Sequence, residues 1–218
     1  LPKIIQVLED SYSAMPKLSS QYISVVEVGG AYAHLFIPLV KFLELPTLII
    51  TDLDATKEVT NMKGKKVWVA CKVSEGRRTS NECIKDWFCL PEITPAELIS
   101  KSAADKTKGD VHISYEVPEA NGAPCGRSFE DAFIMANHAI FGLAAPSEDE
   151  AWEKAKEEKK SDFALTYAIE KSGWRVPRYI AEGLQWLSRS SLPQQLQSTA
   201  VKDVASEAVP QPTEEANA

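Results

Sequence analysis

Histidine and cysteine are both scarce in this 218-residue chain. The three histidines stand apart at His34, His112 and His138, and the four cysteines, Cys71, Cys83, Cys89 and Cys125, form no CxxC pair. That pattern argues against a zinc site, and the scattered thiols are expected to be reduced. No apolar run approaches the roughly 18 residues that a membrane span needs. There is no Walker A phosphate loop, so any ATPase activity has to come from outside this chain. Internal repeats are absent too. Basic charge is short overall: 24 Lys and Arg stand against 31 Asp and Glu, a formal net charge of −7. Taken alone this counts against a nucleic-acid binder, although local distribution matters more than the sum. The chain opens on Leu1 rather than methionine, with no signal-peptide pattern behind it. It is therefore read as part of a longer protein with an upstream partner region, soluble and cytoplasmic.

What is present is a globular composition, 44% hydrophobic and 25% charged, long enough to bury a sizeable core. Ile23–Val28 is a short β-branched run closed by Gly29-Gly30, and 47–51 is a second such run ending at Asp52. Further strands are expected over 65–73 and 111–117. Between them lie helical segments: 2–17; 31–44, where Pro38 should kink or restart the helix; one ending near Phe88; and a short one opened by a Thr94/Glu97 capping box. Strands alternating with helices imply right-handed crossovers and a mainly parallel, four-stranded α/β sheet flanked by helices. Ser128 is expected to cap a helix carrying Phe129, Phe133, Ala136 and Ile140 on one stripe. From 147 the chain turns charged and helical, and Pro177 suits the first turn of a last helix. The expected layout is an N-terminal helix (1–20), a central α/β domain (21–146), a helical appendage packed on it (147–191) and a disordered tail (192–218).

Ligands in open parallel sheets bind at the carboxyl ends of the strands, and two of these strands end in acids. One supplies Glu27; the other supplies Asp52 and Asp54, which point the same way because residues two apart on an extended strand share a face. Carboxylates on adjacent strand ends repel one another unless a cation neutralises them. A hard, oxygen-liganded ion such as Mg²⁺ or Mn²⁺ is the natural occupant.

The segment ISVVEVGGAYAHLFIPLVKFLELPTLIITDLDA resembles the opening of a TOPRIM domain, a Rossmann-like fold that pairs a strand-end Glu with D-x-D. Arg78-Thr79-Ser80-Asn81, Gly126-Arg127-Ser128-Phe129-Glu130-Asp131 and Lys159-Lys160-Ser161-Asp162-Phe163 narrow the likeness to the TOPRIM nuclease region of the OLD (overcoming lysogenisation defect) family. The resemblance spans roughly residues 20–190. It implies that Glu27, Asp52, Asp54 and Glu130, with Ser128 beside it, hold two divalent ions, and that Lys160 or its neighbour Lys159 is the active-site lysine. It further implies cleavage or nicking of DNA, an upstream ATPase domain in the full-length protein and oligomerisation through that missing region. One departure stands out: Ala31 occupies a position where many TOPRIM proteins carry a second glutamate.

Several residues keep a second reading. Glu130 also suits the dipole of a helix N-terminus, and Asp131 reads as a capping partner ahead of a ligand. The lysine pair fits a solvated helix face. Arg78, Arg127 and Lys159 are candidates for strand phosphates, while His34, His112 and His138 read as structural. The leading expectation is a metal-dependent DNA endonuclease working by a two-metal mechanism. The alternatives are the TOPRIM domain of a topoisomerase or primase, or a non-catalytic Mg²⁺-binding regulatory module.

Overall fold

The computed structural model describes residues 1–12, 15–157 and 160–190. Lys159 and the expected tail 192–218 lie outside the described residues. Helix α1 (Pro2–Ser11) buries Ile5 and Leu8 and starts on a proline, whose missing N–H is no loss in a first turn. A 3-10 helix, Gly30–Phe36, runs directly into α2 (Ile37–Phe42). Pro38 lies in the first turn of α2, so it restarts the helix.

Strands β1 (Thr47–Ile50) and β2 (Ala55–Thr60) are joined by Thr51-Asp52-Leu53-Asp54. β3 (Lys66–Ala70) folds back on β2, and β4 (Arg78–Thr79) pairs with the other edge of β2. Asn81 caps α3 (Glu82–Phe88) by accepting the Ile84 N–H at 3.2 Å. Both hydrogen bonds of the Thr94/Glu97 capping box are made at the start of α4 (Pro95–Ile99). Then come β5 (Thr107–Lys108), β6 (Val111–Ser114), α5 (Phe129–Ala136), α6 (Glu148–Glu157), α7 (Lys160–Leu165) and α8 (Arg178–Ser190). A π-helical turn, Thr166–Glu170, extends α7.

The fold is mixed α/β, but it departs from a single four-stranded, mainly parallel sheet. Among the described residues there are two three-stranded sheets, ordered β1-β6-β5 and β3-β2-β4. Only β1 and β6 run parallel. Ile23–Val28 forms no strand, and Val25 and Val26 are 60% and 69% exposed. β-branched composition suits a pleated surface, yet a strand exists only where a partner supplies the ladder. The run near residue 65 is a strand, but it lies antiparallel on β2 rather than following a crossover.

Three clusters make up the core. Ile49, Leu53, Ile84, Trp87, Ile113 and Tyr115 fill the space around β1 and β6. Leu8, Leu18, Tyr179 and Leu184 join α1 to α8. Phe133, Ile134, Ala151, Phe163 and Trp174 join α5 to α6 and α7. Each fully buried aliphatic side chain contributes about 1.5–3 kcal/mol. α8 sits hard against the first sheet: a Cβ on Gly183 would come within 2.9 Å of Leu48 and Ser114. No helix among the described residues is long and apolar enough to cross a membrane.

Candidate metal centre

The loop after β1 is held by its backbone. Asn81 Nδ2 donates to the Asp52 carbonyl at 2.7 Å and to Thr51 Oγ1 at 2.7 Å. Thr79 Oγ1 donates to the Leu53 carbonyl at 2.6 Å, and the Ser80 N–H donates to the Asp54 carbonyl at 2.9 Å. The Arg78–Asn81 segment thus takes the carbonyls of Asp52, Leu53 and Asp54 in turn, while the Leu53 side chain anchors the loop in the core. Asp54 adopts a left-handed backbone with φ 54°, a conformation aspartate tolerates better than most residues.

With the backbone pinned, the acids are aimed at α5. Asp52 Oδ1 accepts the Phe129 N–H at 3.2 Å, in the electropositive first turn of that helix. Asp54 pairs with Arg127 at 2.7 Å. Arg127 also donates through Nε to the Ala55 carbonyl at 3.2 Å, and its own carbonyl accepts the Asp54 N–H at 3.1 Å. Ser128 stands at the N-cap but makes no cap bond; its hydroxyl donates to Glu130 Oε2 at 3.0 Å. Capping falls to Asp131, whose carboxylate accepts the Arg127 N–H at 3.2 Å and the Ser128 N–H. Burial raises the Asp131 carboxyl above its ordinary range. Ser128, Glu130 and Asp131 are all buried. Gly126 permits this crowding, since a Cβ there would lie 2.6 Å from the Ala132 nitrogen.

One acid at this centre was not anticipated. Glu116 follows β6 and is fully buried. Its Oε2 accepts the Leu53 N–H at 2.5 Å. Its Oε1 is the one buried side-chain polar atom among the described residues with no hydrogen-bond partner. Asp52 and the Tyr179 phenol lie against the same carboxyl. Burial first, then the Asp52 charge, push Glu116 well above the ordinary carboxylate range, and burial does the same to the Tyr179 hydroxyl. The register could have found it: Ile50 pairs with Ser114, so Asp52 and Glu116, each two residues further on, leave their strands side by side.

Of the residues singled out from sequence, Asp52, Asp54, Arg127, Ser128 and Glu130 gather between the end of β1 and the start of α5. Glu27 does not join them; it is exposed, in a segment without regular structure. Arg78 lies 3.7 Å over the Trp68 ring and is ion-paired with Glu92. Lys160 begins α7, and its side chain, like the whole of Lys159, lies outside the described residues. Among the described residues no three His, Cys, Asp or Glu side chains converge as a ready-made metal cage. The donors offered by Asp52, Glu116, Ser128 and Glu130 are nevertheless all oxygens, the set that hard divalent cations prefer. An orphaned carboxylate oxygen against Asp52 is also what a cation would satisfy.

The family described as overcoming lysogenization defect protein-like, TOPRIM domain, matches residues 1–54, a span that closes on the D-x-D pair. Endonuclease GajA of Bacillus cereus (strain HuB5-5) is 28% identical to this chain over 207 residues, covering 79% of this chain and 28% of that protein. The chain therefore spans 28% of the length of this relative. No solved structure matches it.

Proposed function

We propose that this chain is the TOPRIM nuclease region of a divalent-metal-dependent DNA endonuclease, joined to an ATPase domain in the full-length protein. The observation that carries the reading is the register-matched pair Asp52 and Glu116, with an orphaned buried oxygen, beneath the α5 turn that presents Ser128 and Glu130. The OLD-like TOPRIM match and the endonuclease relative supply the reaction class.

Asp52, Glu130 and Ser128 would hold Mg²⁺ or Mn²⁺, with Glu116 as the inner wall, and Asp54 would serve a second ion; Glu27, exposed and apart from them, is left out of the site. When bound, two such ions activate a water and stabilise the leaving oxygen of a phosphodiester. The chain's own groups do the rest. The first turn of α5 orients Asp52 through the Phe129 N–H. Arg127 neutralises Asp54 and stands ready to meet a strand phosphate. The resemblance assigns Lys160, or Lys159, to supply a cation for the charge that would build on the phosphoryl oxygens. The Thr79, Ser80 and Asn81 clamp keeps the D-x-D loop from relaxing under that charge.

The test is nicking of supercoiled plasmid by the purified chain with Mg²⁺ or Mn²⁺. Wild type is expected to nick, and Asp52→Ala and Glu130→Ala to lose the activity while remaining folded. A folded wild-type chain inert with both ions, or an Asp52→Ala variant as active as wild type, overturns the reading.

A further inference from the structure

A cavity of about 650 Å³ opens between the loop 99–106, the outer side of β6, the segment 117–122 and α8. Small-molecule sites typically run about 300–1,000 Å³. Its lining carries Lys101, Lys106, Arg178 and Arg189 against a single acid, Glu182. That acid is engaged by Arg178 at 2.7 Å.

Lys106 is the unusual member. It is only 8% exposed, and its ammonium lies 4.4 Å from the centroid of the Tyr115 ring. It forms no ion pair among the described residues. Buried lysines are almost always paired, because an uncompensated buried charge is costly. Burial accordingly lowers the Lys106 pKa. The ring face of Tyr115 offsets part of that cost; a bound anion would offset more. The His112 and Trp186 rings stack at 5.0 Å beside it and give the cavity a flat aromatic wall.

We infer that this cavity is a binding site for a phosphate group, seated on the Lys106 ammonium with Lys101 and Arg189 at its rim. Phosphate suits it better than a carboxylate. A phosphate monoester carries close to two charges and three strong acceptor oxygens, which matches an excess of cations over one acid already taken. The volume exceeds that of a bare phosphate, so the group belongs to a mononucleotide, whose monoester keeps both charges, ahead of a nucleic-acid strand, whose diesters carry one charge each. None of Asp52, Asp54, Glu116, Ser128 and Glu130 lines this cavity, and the inference does not depend on the nuclease reading.

Calorimetry in phosphate-free buffer decides it, using inorganic phosphate, adenosine 5′-monophosphate and a short single-stranded DNA oligonucleotide as probes. At least one is expected to saturate the wild-type chain, and Lys106→Met to weaken that binding by about tenfold or more, as loss of a charge-assisted hydrogen bond does. Binding of the oligonucleotide alone identifies a strand phosphate; binding of the mononucleotide identifies a small ligand; either upholds the site if Lys106→Met weakens it. Should Lys106→Met not fold, Arg189→Gln takes its place, with a loss of about threefold or more expected from a rim charge. The inference is overturned if wild type binds none of the three, or if the folded variant keeps wild-type affinity.

Discussion

Gly126→Ala puts the packing of the candidate metal centre to its hardest test. The added Cβ would sit 2.6 Å from the Ala132 nitrogen and 2.9 Å from its Cα. Both are backbone atoms, so no side chain can swing aside. Restoring an ordinary contact of 3.4 Å requires a shift of about 0.8 Å, the difference between the two distances. Overpacking of this kind costs about 1–3 kcal/mol. The displaced turn also carries the Phe129 N–H, which already reaches Asp52 at 3.2 Å, near the outer limit of a good bond. Losing it removes a charge-assisted contact of about 1.5–3 kcal/mol. Urea unfolding followed by far-UV circular dichroism should show the loss of stability, and Mn²⁺ titration a weaker site. Gly29→Ala is the control, because its Cβ would meet Tyr32 at an ordinary 3.8 Å, and it should stay within about 0.5 kcal/mol of wild type. A Gly126→Ala variant with the wild-type midpoint would refute the close approach of α5.

Thr79→Val keeps the side-chain shape but strips the hydroxyl that donates to the Leu53 carbonyl at 2.6 Å and accepts the Asn81 N–H at 2.9 Å. Leaving those buried groups unmade should cost about 1–3 kcal/mol in chemical unfolding, and an unchanged midpoint would remove the clamp from the account. His112 has its pKa pushed down from 6.5 to about 4 by burial and by Lys106. The folded state therefore binds fewer protons than the unfolded one, so its stabilisation is complete above pH 6.5 and is lost as pH falls toward 4. The difference of 2.5 units corresponds to about 3 kcal/mol; His112→Phe should flatten that part of the stability–pH curve, and a parallel curve would contradict the assignment. All four cysteines are free and only Cys89 is exposed. Burial raises the thiols of Cys71, Cys83 and Cys125, Cys83 to about 11. Thiol titration of the native chain should thus find one fast-reacting group per chain, with the others reacting only on unfolding; several fast groups would show the core to be open.

Local rules made much of the chain readable in advance. Thr94 with Glu97, and Pro38 at the start of α2, act through bonds within a few residues, and both appear as the local chemistry dictates. Asp52 and Asp54 stand in the loop directly after β1, as the apolar run 47–51 that they follow led one to expect. Ile23–Val28 misled because its β-branched composition says nothing about whether a partner edge is available. β2, with its Lys57 and Glu58, reads as polar, since only Ala55 and Thr56 at its start are buried. Glu116 was hidden for a different reason. Its strand was recognised, but its role depends on register with β1, a long-range pairing that a single chain read linearly does not display. The same holds for Thr79, Ser80 and Asn81, whose work is done on carbonyls more than twenty positions away.

The central claim is that the end of β1 and the start of α5 hold divalent metal. Anomalous scattering from crystals soaked in Mn²⁺ tests it most directly. The account predicts a peak bound by Asp52 and Glu130, with Glu116 against Asp52, that vanishes in Asp52→Ala crystals. Mn²⁺ found only on surface acids, with no peak between Asp52 and Glu130, would contradict it.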